Sequence, residues 1–124
     1  MSIPVDTAKL SEALSDFGSG YLLSTSGDGR VKAVTVDPVA TEAGLAVDGP
    51  GKGTATNIAA NPQVTVLFWP REDHGYTLIV DGEASGDADH VDVVATGAVL
   101  HRPASHADGP VPADGCGNDC QRVE

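Results

Sequence analysis

Six stretches of the chain are rich in β-branched, aromatic or other apolar residues and are separated by polar or glycine-containing segments, a pattern typical of β-strands. The predicted strands cover residues 21–26, 31–36, 45–47, 64–69, 76–84 and 91–100. Most of the connections between them are short and rich in glycine and aspartate, so neighbouring strands are expected to pair antiparallel. The pattern predicts a mainly β fold in which six antiparallel strands close into a small barrel.

A first helix is predicted ahead of these strands, at residues 6–17. Leu10, Leu14 and Phe17 recur there at helical spacing, and Asp6 is suited to cap the N-terminus. After the last strand the composition shifts to Pro, Gly, Ala and Asp. The sequence therefore indicates one barrel domain at 1–102, followed by a Pro-, Gly- and Asp-rich C-terminal tail at 103–124.

A second helix is predicted after a glycine-rich loop in the middle of the chain. Thr54 can cap its N-terminus by accepting a hydrogen bond from a free backbone N–H. The predicted buried face consists of Ala55, Ile58 and Ala59, which are spaced as neighbours on one side of a helix. Pro62 is expected to end the helix at the preceding residue.

The start of this second helix is a candidate anion site, because free N–H groups and the helix dipole attract negative charge there. Lys52 precedes the first turn, and Thr54, Thr56 and Asn57 lie in or beside it. The alternative interpretation is a solvated loop with a capping threonine. The loop is not a triphosphate-binding P-loop, because glycine rather than Ser or Thr follows the lysine.

The predicted strand 64–69 has no polar face, and such strands are usually covered on both sides, so its second face should meet a helix or another subunit. Both faces of the predicted strand 31–36 are also more apolar than those of an ordinary exposed strand. Lys32 could lay its stem along apolar surface and reach a ligand with its ammonium group, or simply reach solvent. Trp69 could stack on a planar ligand, or pack in the core or at an interface.

Charge and composition narrow the classes of partner. The net charge is −11, from 7 basic and 18 acidic residues, which argues against nucleic acid and anionic membranes as partners. No apolar run reaches the roughly 20 residues of a membrane-spanning helix, and the N-terminal residues lack a signal-peptide pattern. We therefore expect a cytoplasmic protein. Only five residues are aromatic, so the predicted core is small, and burial against a second copy would stabilise the protein.

The two cysteines lie in the tail with Cys-x3-Cys spacing, at Cys116 and Cys120, and His101 and His106 lie upstream. Three interpretations are open. The cysteines could be free thiols, as is usual in a reducing cytoplasm, or form a small-loop disulfide that could be redox-active. They could also bind Zn²⁺ or another soft metal with one or both histidines, because the spacing permits but does not identify such a site.

Three motifs, taken in order, carry a family resemblance. They are Gly-Asp-Gly-Arg-Val-Lys-Ala-Val-Thr-Val at 27–36, Lys-x4-Asn-Ile at 52–58 and Ala-Asn-Pro-Gln-Val-Thr-Val-Leu at 60–67. From the first predicted helix to residue 100, the chain resembles the pyridoxamine-5′-phosphate-oxidase-like, flavin-binding split-barrel family. The Cys-Gly-Asn-Asp-Cys ending resembles that of a small actinobacterial branch.

The resemblance implies a six-stranded antiparallel split barrel that forms a homodimer, binds FMN at the subunit interface and performs redox chemistry on a small molecule. By position, one group of residues would meet the FMN phosphate: Lys52, Thr54, Thr56 and Asn57. A second group would line the flavin ring: Lys32, Val34, Thr35 and, as a stacking residue, Trp69. No side chain stands out as a catalytic base.

The chain departs from the family pattern at two positions, since many flavin-binding members carry basic residues where Thr54 and Thr56 stand. Each lost charge-assisted hydrogen bond removes about 1.5–3 kcal/mol. One alternative is therefore a non-catalytic dimer that has lost flavin binding and binds a small ligand or protein. A second alternative is a reductase that uses deazaflavin F420, which the net negative charge of the chain disfavours. A third is a metal or thiol-redox protein.

Overall fold

The computed structural model describes residues 2–106, whose strands form one antiparallel sheet with two short helices packed against it. The strands are β1 (Ser2–Pro4), β2 (Gly20–Thr25), β3 (Val31–Val36), β4 (Val39–Ala40), β5 (Gly44–Asp48), β6 (Gln63–Phe68), β7 (Thr77–Gly86) and β8 (His90–His101). The helices are α1 (Leu10–Leu14) and α2 (Lys52–Ala60). Short 3-10 turns occur at Thr7–Lys9 and Ala104–His106.

The sheet has the strand order β3-β2-β6-β7-β8-β5-β4, with β1 added on β8. Strand β8 is long enough to pair with β5 along its first half and with β1 at its end, while β7 follows its other edge. Within residues 2–106 the path is open, with β3 and β4 at its ends, so the sheet is a split rather than a closed barrel. The antiparallel split barrel that the family resemblance implies is confirmed, whereas the closed barrel predicted from the strand pattern is wrong.

The predicted count of six strands is too low, because the structure adds β1 and β4. These strands are three and two residues long, which is too short to show a period-two pattern. The other six strands lie close to their predicted positions.

The core lies on the inner face of the curved sheet. Inward side chains such as Leu22, Phe68, Leu78 and Val80 are fully buried, and they alternate along their strands with exposed or half-buried residues. Phe17, after α1, packs against this cluster with its ring centroid 6.2 Å from that of Phe68. This packing encloses one continuous apolar core.

The first helical segment is shorter than predicted. It consists of the 3-10 turn Thr7–Lys9 followed by α1, which ends at Leu14 instead of continuing to residue 17. Asp6 caps the segment as predicted, because its carboxylate accepts a hydrogen bond from the N–H of Ala8 at 3.0 Å. Leu10 is buried in the core.

Helix α2 begins earlier than predicted and buries a different face. Gly51 is its N-cap, so Thr54 is not the cap but lies inside the first turn. The buried residues are Thr54, Asn57 and Ile58, whereas Ala59 is exposed. The helix ends where expected: residue 61, which precedes Pro62, has extended backbone angles.

Candidate anion-binding site

The N-terminus of α2 is open to a ligand. No side chain caps it, and Gly51 enters the helix with a φ of 94°, a conformation that favours glycine. The first hydrogen bond within the helix runs from the N–H of Ala55 to the carbonyl of Gly51. The N–H groups of residues 52–54 therefore have no partner within the helix, and they lie at the positive end of its dipole.

The loop that leads into α2 is fixed to the turn between β7 and β8. The N–H of Gly49 donates to the carbonyl of Asp89 at 2.8 Å, and the N–H of Gly51 donates to that of Ala88 at 3.1 Å. These bonds hold the start of the helix in place before any ligand arrives, which lowers the entropic cost of binding.

Lys32 lies over the first turn of α2. Its Cε and Nζ atoms are 2.9 and 3.2 Å from the position that a Cβ on residue 53 would occupy, so the lysine fits there because residue 53 is glycine. Lys52 is the first residue of the helix and is exposed. The Lys32 ammonium thus lies beside the first turn of α2, which also carries the exposed Lys52, in a chain with a net charge of −11.

A layer of buried polar side chains lies beneath this helix. Within residues 2–106 the buried polar side chains are those of Ser24 on β2 and of Thr54 and Asn57 on α2. The amide Nδ2 of Asn57 donates to the Ser24 hydroxyl at 3.1 Å. The Thr54 hydroxyl is fully buried and has no hydrogen-bond partner in the described part of the chain.

The structure brings half of the eight candidate cofactor residues together. Lys32, Lys52, Thr54 and Asn57 surround or underlie the first turns of α2. Thr56 also lies on this helix, but it is exposed and its hydroxyl donates to the carbonyl of Lys52 at 3.0 Å.

The remaining candidates are divided between the two faces of the sheet. Val34 is half-buried against the core. Thr35 is exposed on the outer face and is paired with Tyr21. Trp69 directly follows β6, is 41% exposed, and packs against Tyr21 with a centroid distance of 4.9 Å. One copy of residues 2–106 therefore does not gather all eight residues around a single cavity.

The metal candidates receive no support from the described residues. The imidazole of His101 forms a hydrogen bond with the Ser2 hydroxyl at 3.0 Å, and residues 2–106 contain no cluster of three or more metal-ligating side chains. Cys116, Cys120 and the side chain of His106 lie outside the part that the structure describes.

Sequence reasoning missed an ionisable cluster near the α2 loop. The Nδ1 atom of His90 is 2.7 Å from Asp48, and its Nε2 atom is 2.9 Å from Asp92. The hydrogen bond to Asp48, and then that to Asp92, raise the pKa of His90 above its ordinary value. The two-residue spacing of His90 and Asp92 places them on one face of a strand and could have indicated this pair from the sequence. The position of Asp48 beside His90 depends on how β5 pairs with β8.

Helices that could cross a bilayer are absent from residues 2–106, since none is both long and apolar enough.

Comparison with known proteins gives two kinds of match. The chain is 37% identical over 132 aligned positions to Uncharacterized protein Mb0449c of Mycobacterium bovis and to Uncharacterized protein MT0457 of Mycobacterium tuberculosis. Each match covers 94% of this chain and 92% of the relative. No protein-family model matches the chain.

Two solved structures share the fold. One is a candidate pyridoxamine 5′-phosphate oxidase from Listeria innocua, with a TM-score of 0.62, 18% identity, and coverage of 74% of this chain and 94% of that one. The other is a candidate 5-nitroimidazole antibiotic resistance protein from Bacteroides thetaiotaomicron, with a TM-score of 0.58, 13% identity, and coverage of 81% and 88%. At these identities, the likeness establishes the split-barrel fold alone.

Proposed function

Because the chain belongs to the family of the mycobacterial proteins Mb0449c and MT0457 and folds as a split barrel, we propose that it is an FMN-binding protein with oxidoreductase activity. The proposal extends to this chain what the resemblance to pyridoxamine-5′-phosphate-oxidase-like proteins implies. The fold itself does not specify an activity, so the site must support the proposal.

The observation that carries the proposal is the uncapped start of α2. Its free N–H groups, together with Lys32 and Lys52, form a donor set suited to the terminal phosphate of FMN. Hydrogen bonds from charged donors each contribute about 1.5–3 kcal/mol, whereas neutral ones contribute about 1 kcal/mol. The donors present therefore fit a single phosphate group.

Thr54 lies in the first turn but is fully buried, so a bound phosphate could reach its N–H or its hydroxyl only if the helix moved. The backbone donors available to a ligand are the N–H groups of residues 52 and 53, which are both exposed. Thr56 uses its hydroxyl within the helix. Neither threonine supplies a cation, and the expected affinity for FMN is accordingly lower than it would be with two basic residues in their place.

The flavin would supply the hydride and electron transfer, and the chain would bind and orient it. In this arrangement Lys32 and Lys52 hold the phosphate at one end. The half-buried Val34 offers apolar surface beside them for the rest of the cofactor. No described side chain is assigned a proton-transfer step.

A homodimer is part of the same proposal, supported by the apolar character of the outer face of β2, β3 and β6. Tyr21, Val31 and Trp69 are 42%, 67% and 41% exposed there, and they adjoin the half-buried Leu23 and Leu67. Large apolar side chains grouped on one surface favour association. A second copy packed on this face would place Thr35 and Trp69 next to the partner and could complete a ring-binding site.

The test is an FMN titration of the purified full chain, followed by the visible absorption and fluorescence of the flavin. We expect saturable binding that weakens about tenfold or more in Lys32→Gln, because one charged donor is lost. Lys9→Gln is the matched control: it changes the net charge equally but lies in the 3-10 turn before α1, and it should leave the affinity unchanged.

Failure to bind at high micromolar FMN, or equal losses in the two lysine variants, would refute the flavin proposal. The threonines at 54 and 56 favour one alternative, a non-catalytic dimer that binds another small ligand or a protein. That alternative predicts a colourless protein without reductase activity toward any flavin. Binding of F420 in preference to FMN would contradict the charge argument, because its polyglutamate tail needs a basic groove.

A further inference from the structure

A second depression opens far from the start of α2, at the other end of β8. It has a volume of about 780 Å³ and is lined by the end of the α1 segment, the 70–76 loop and the end of β8. The twelve residues of β8 separate this depression from His90 and the loop that leads into α2, a span of about 35 Å at the usual rise per residue. The two sites are therefore independent.

Arg102 is the central polar group of this depression. Its guanidinium carbon lies 4.4 Å from the centroid of the Tyr76 ring, and its Nη1 donates to the carbonyl of His74 at 3.2 Å. The Nε atom is buried and has no hydrogen-bond partner within residues 2–106. A buried N–H without a partner costs about 1–3 kcal/mol, so a ligand that accepts from it recovers that cost.

The charges around Arg102 favour binding of an anion in the inner part of the depression. Ion pairs within residues 2–106 involve only histidines, so Arg102 and the neighbouring Arg71 have no carboxylate partner there. Asp16 and Glu72 also line the depression, but both are exposed, where solvent and salt weaken their field. Arg71 is exposed as well, which leaves the half-buried Arg102 as the dominant charge.

Three apolar groups line part of the depression beside Arg102. Phe17, Tyr76 and Leu100 are all partly buried and present two aromatic rings and an aliphatic group to the depression. With Nη1 engaged by a carbonyl, the Nε–H and the Nη2–H remain as a side-by-side pair that matches the two oxygens of a carboxylate. The volume lies in the range of small-molecule sites.

We propose that this depression binds a small monocarboxylate with a flat apolar body, such as an aromatic acid. The carboxylate accepts hydrogen bonds from Nε and Nη2 of Arg102, and the apolar body packs between Phe17 and Tyr76. Since Nε is covered in this structure, binding requires a local shift of the groups that cover it, with the bond from Nη1 to the His74 carbonyl kept. Ligands with several negative groups are disfavoured by Asp16 and Glu72 at the rim.

The test uses two probes of nearly equal size, 3-phenylpropionate and the neutral 3-phenylpropan-1-ol. Each is titrated into ¹⁵N-labelled full-length protein while backbone amide shifts are recorded. We expect 3-phenylpropionate to shift the amides of residues 71–76 and 100–102 saturably, with an affinity at least tenfold higher than that of the alcohol. Arg102→Lys keeps the charge but loses the paired donors, and should weaken acid binding tenfold or more.

Two results would overturn the inference: equal affinities for the acid and the alcohol, or undiminished binding of the acid by a folded Arg102→Lys variant. If that variant does not fold, the comparison of the two probes on the unmodified chain decides alone. Lys32→Gln should leave binding of 3-phenylpropionate unchanged, because it alters only the site at α2. Failure of the FMN proposal would therefore not affect this result.

Discussion

Replacing Thr54 with valine should stabilise the ligand-free protein. The hydroxyl of Thr54 is fully buried without a partner in residues 2–106, and mutational data place the cost of such burial at about 1–3 kcal/mol. Valine keeps the branched shape and replaces the hydroxyl with a methyl group of similar size. We therefore expect the free energy of unfolding to rise by about 1–2 kcal/mol, and the Tm by roughly 3–6 °C per kcal/mol for a chain of this length.

The same substitution tests how the anion site works. Because the buried Thr54 does not reach the phosphate, Thr54→Val should change FMN affinity less than twofold. Urea unfolding gives the stability, and a flavin titration gives the affinity. Thr56→Val is the matched control: its hydroxyl is exposed and bonded to the Lys52 carbonyl, so its stability should stay within about 0.5 kcal/mol.

A loss of stability in Thr54→Val would show that the hydroxyl has a partner in solution and would refute the reasoning about its burial. A tenfold loss of FMN affinity with unchanged stability would show instead that the hydroxyl contacts the cofactor directly.

Three further predictions concern single features. Gly53→Ala should stabilise α2 by about 0.5–1 kcal/mol, yet it should weaken FMN binding severalfold because the new methyl group displaces the Lys32 ammonium. When Gly53→Ala is added to the Lys32→Gln variant, FMN binding should weaken no further. NMR titration should give His90 a pKa above its ordinary value, and Asp48→Asn should lower that pKa. The stability that the raised pKa contributes is fully present below the unfolded-state pKa of about 6.5 and is lost as pH rises through the folded-state pKa, so the stability deficit of Asp48→Asn should shrink in alkaline solution. Tyr21→Glu should convert the proposed dimer to monomer in light scattering; an unmodified chain that is already monomeric would contradict the dimer.

The sequence located the six longer strands because each is a run of β-branched, aromatic or other apolar residues bounded by turn residues. The six predicted strands fall within two residues of their observed bounds, and the largest difference is at the end of β7, which was predicted at 84 and observed at Gly86. Pro62 marked the end of α2 for a reason that is local to the backbone. Strands β1 and β4 were missed because pairing with β8 and β5, rather than their own pattern, makes them strands.

The buried face of α2 could not be predicted from hydrophobicity. Alanine side chains are too small to fix which side of a helix turns inward, so Ala59 remained exposed. Asn57 turned inward because the buried hydroxyl of Ser24, on a strand distant in sequence, accepts a hydrogen bond from it. A polar pair of this kind emerges only when the two elements pack.

The candidate site, like the fold, could be predicted from the sequence only in part. The glycine loop and the anion-attracting helix start follow from residues near one another in sequence, and they were expected. The placement of Lys32 over Gly53 depends on how β3 and α2 meet in space. Arg102 on the Tyr76 ring was not expected, because these residues come together only when β7 and β8 pair.

The proposed function depends on recognition of a phosphate by the start of α2, and comparison of FMN with riboflavin tests this most directly. The two flavins differ only in that phosphate, so isothermal titration with each isolates its contribution. We predict that the unmodified chain binds FMN at least tenfold more tightly than riboflavin, and that Lys32→Gln reduces this ratio severalfold. Equal affinities for the two flavins, or a ratio that Lys32→Gln leaves unchanged, would contradict the account.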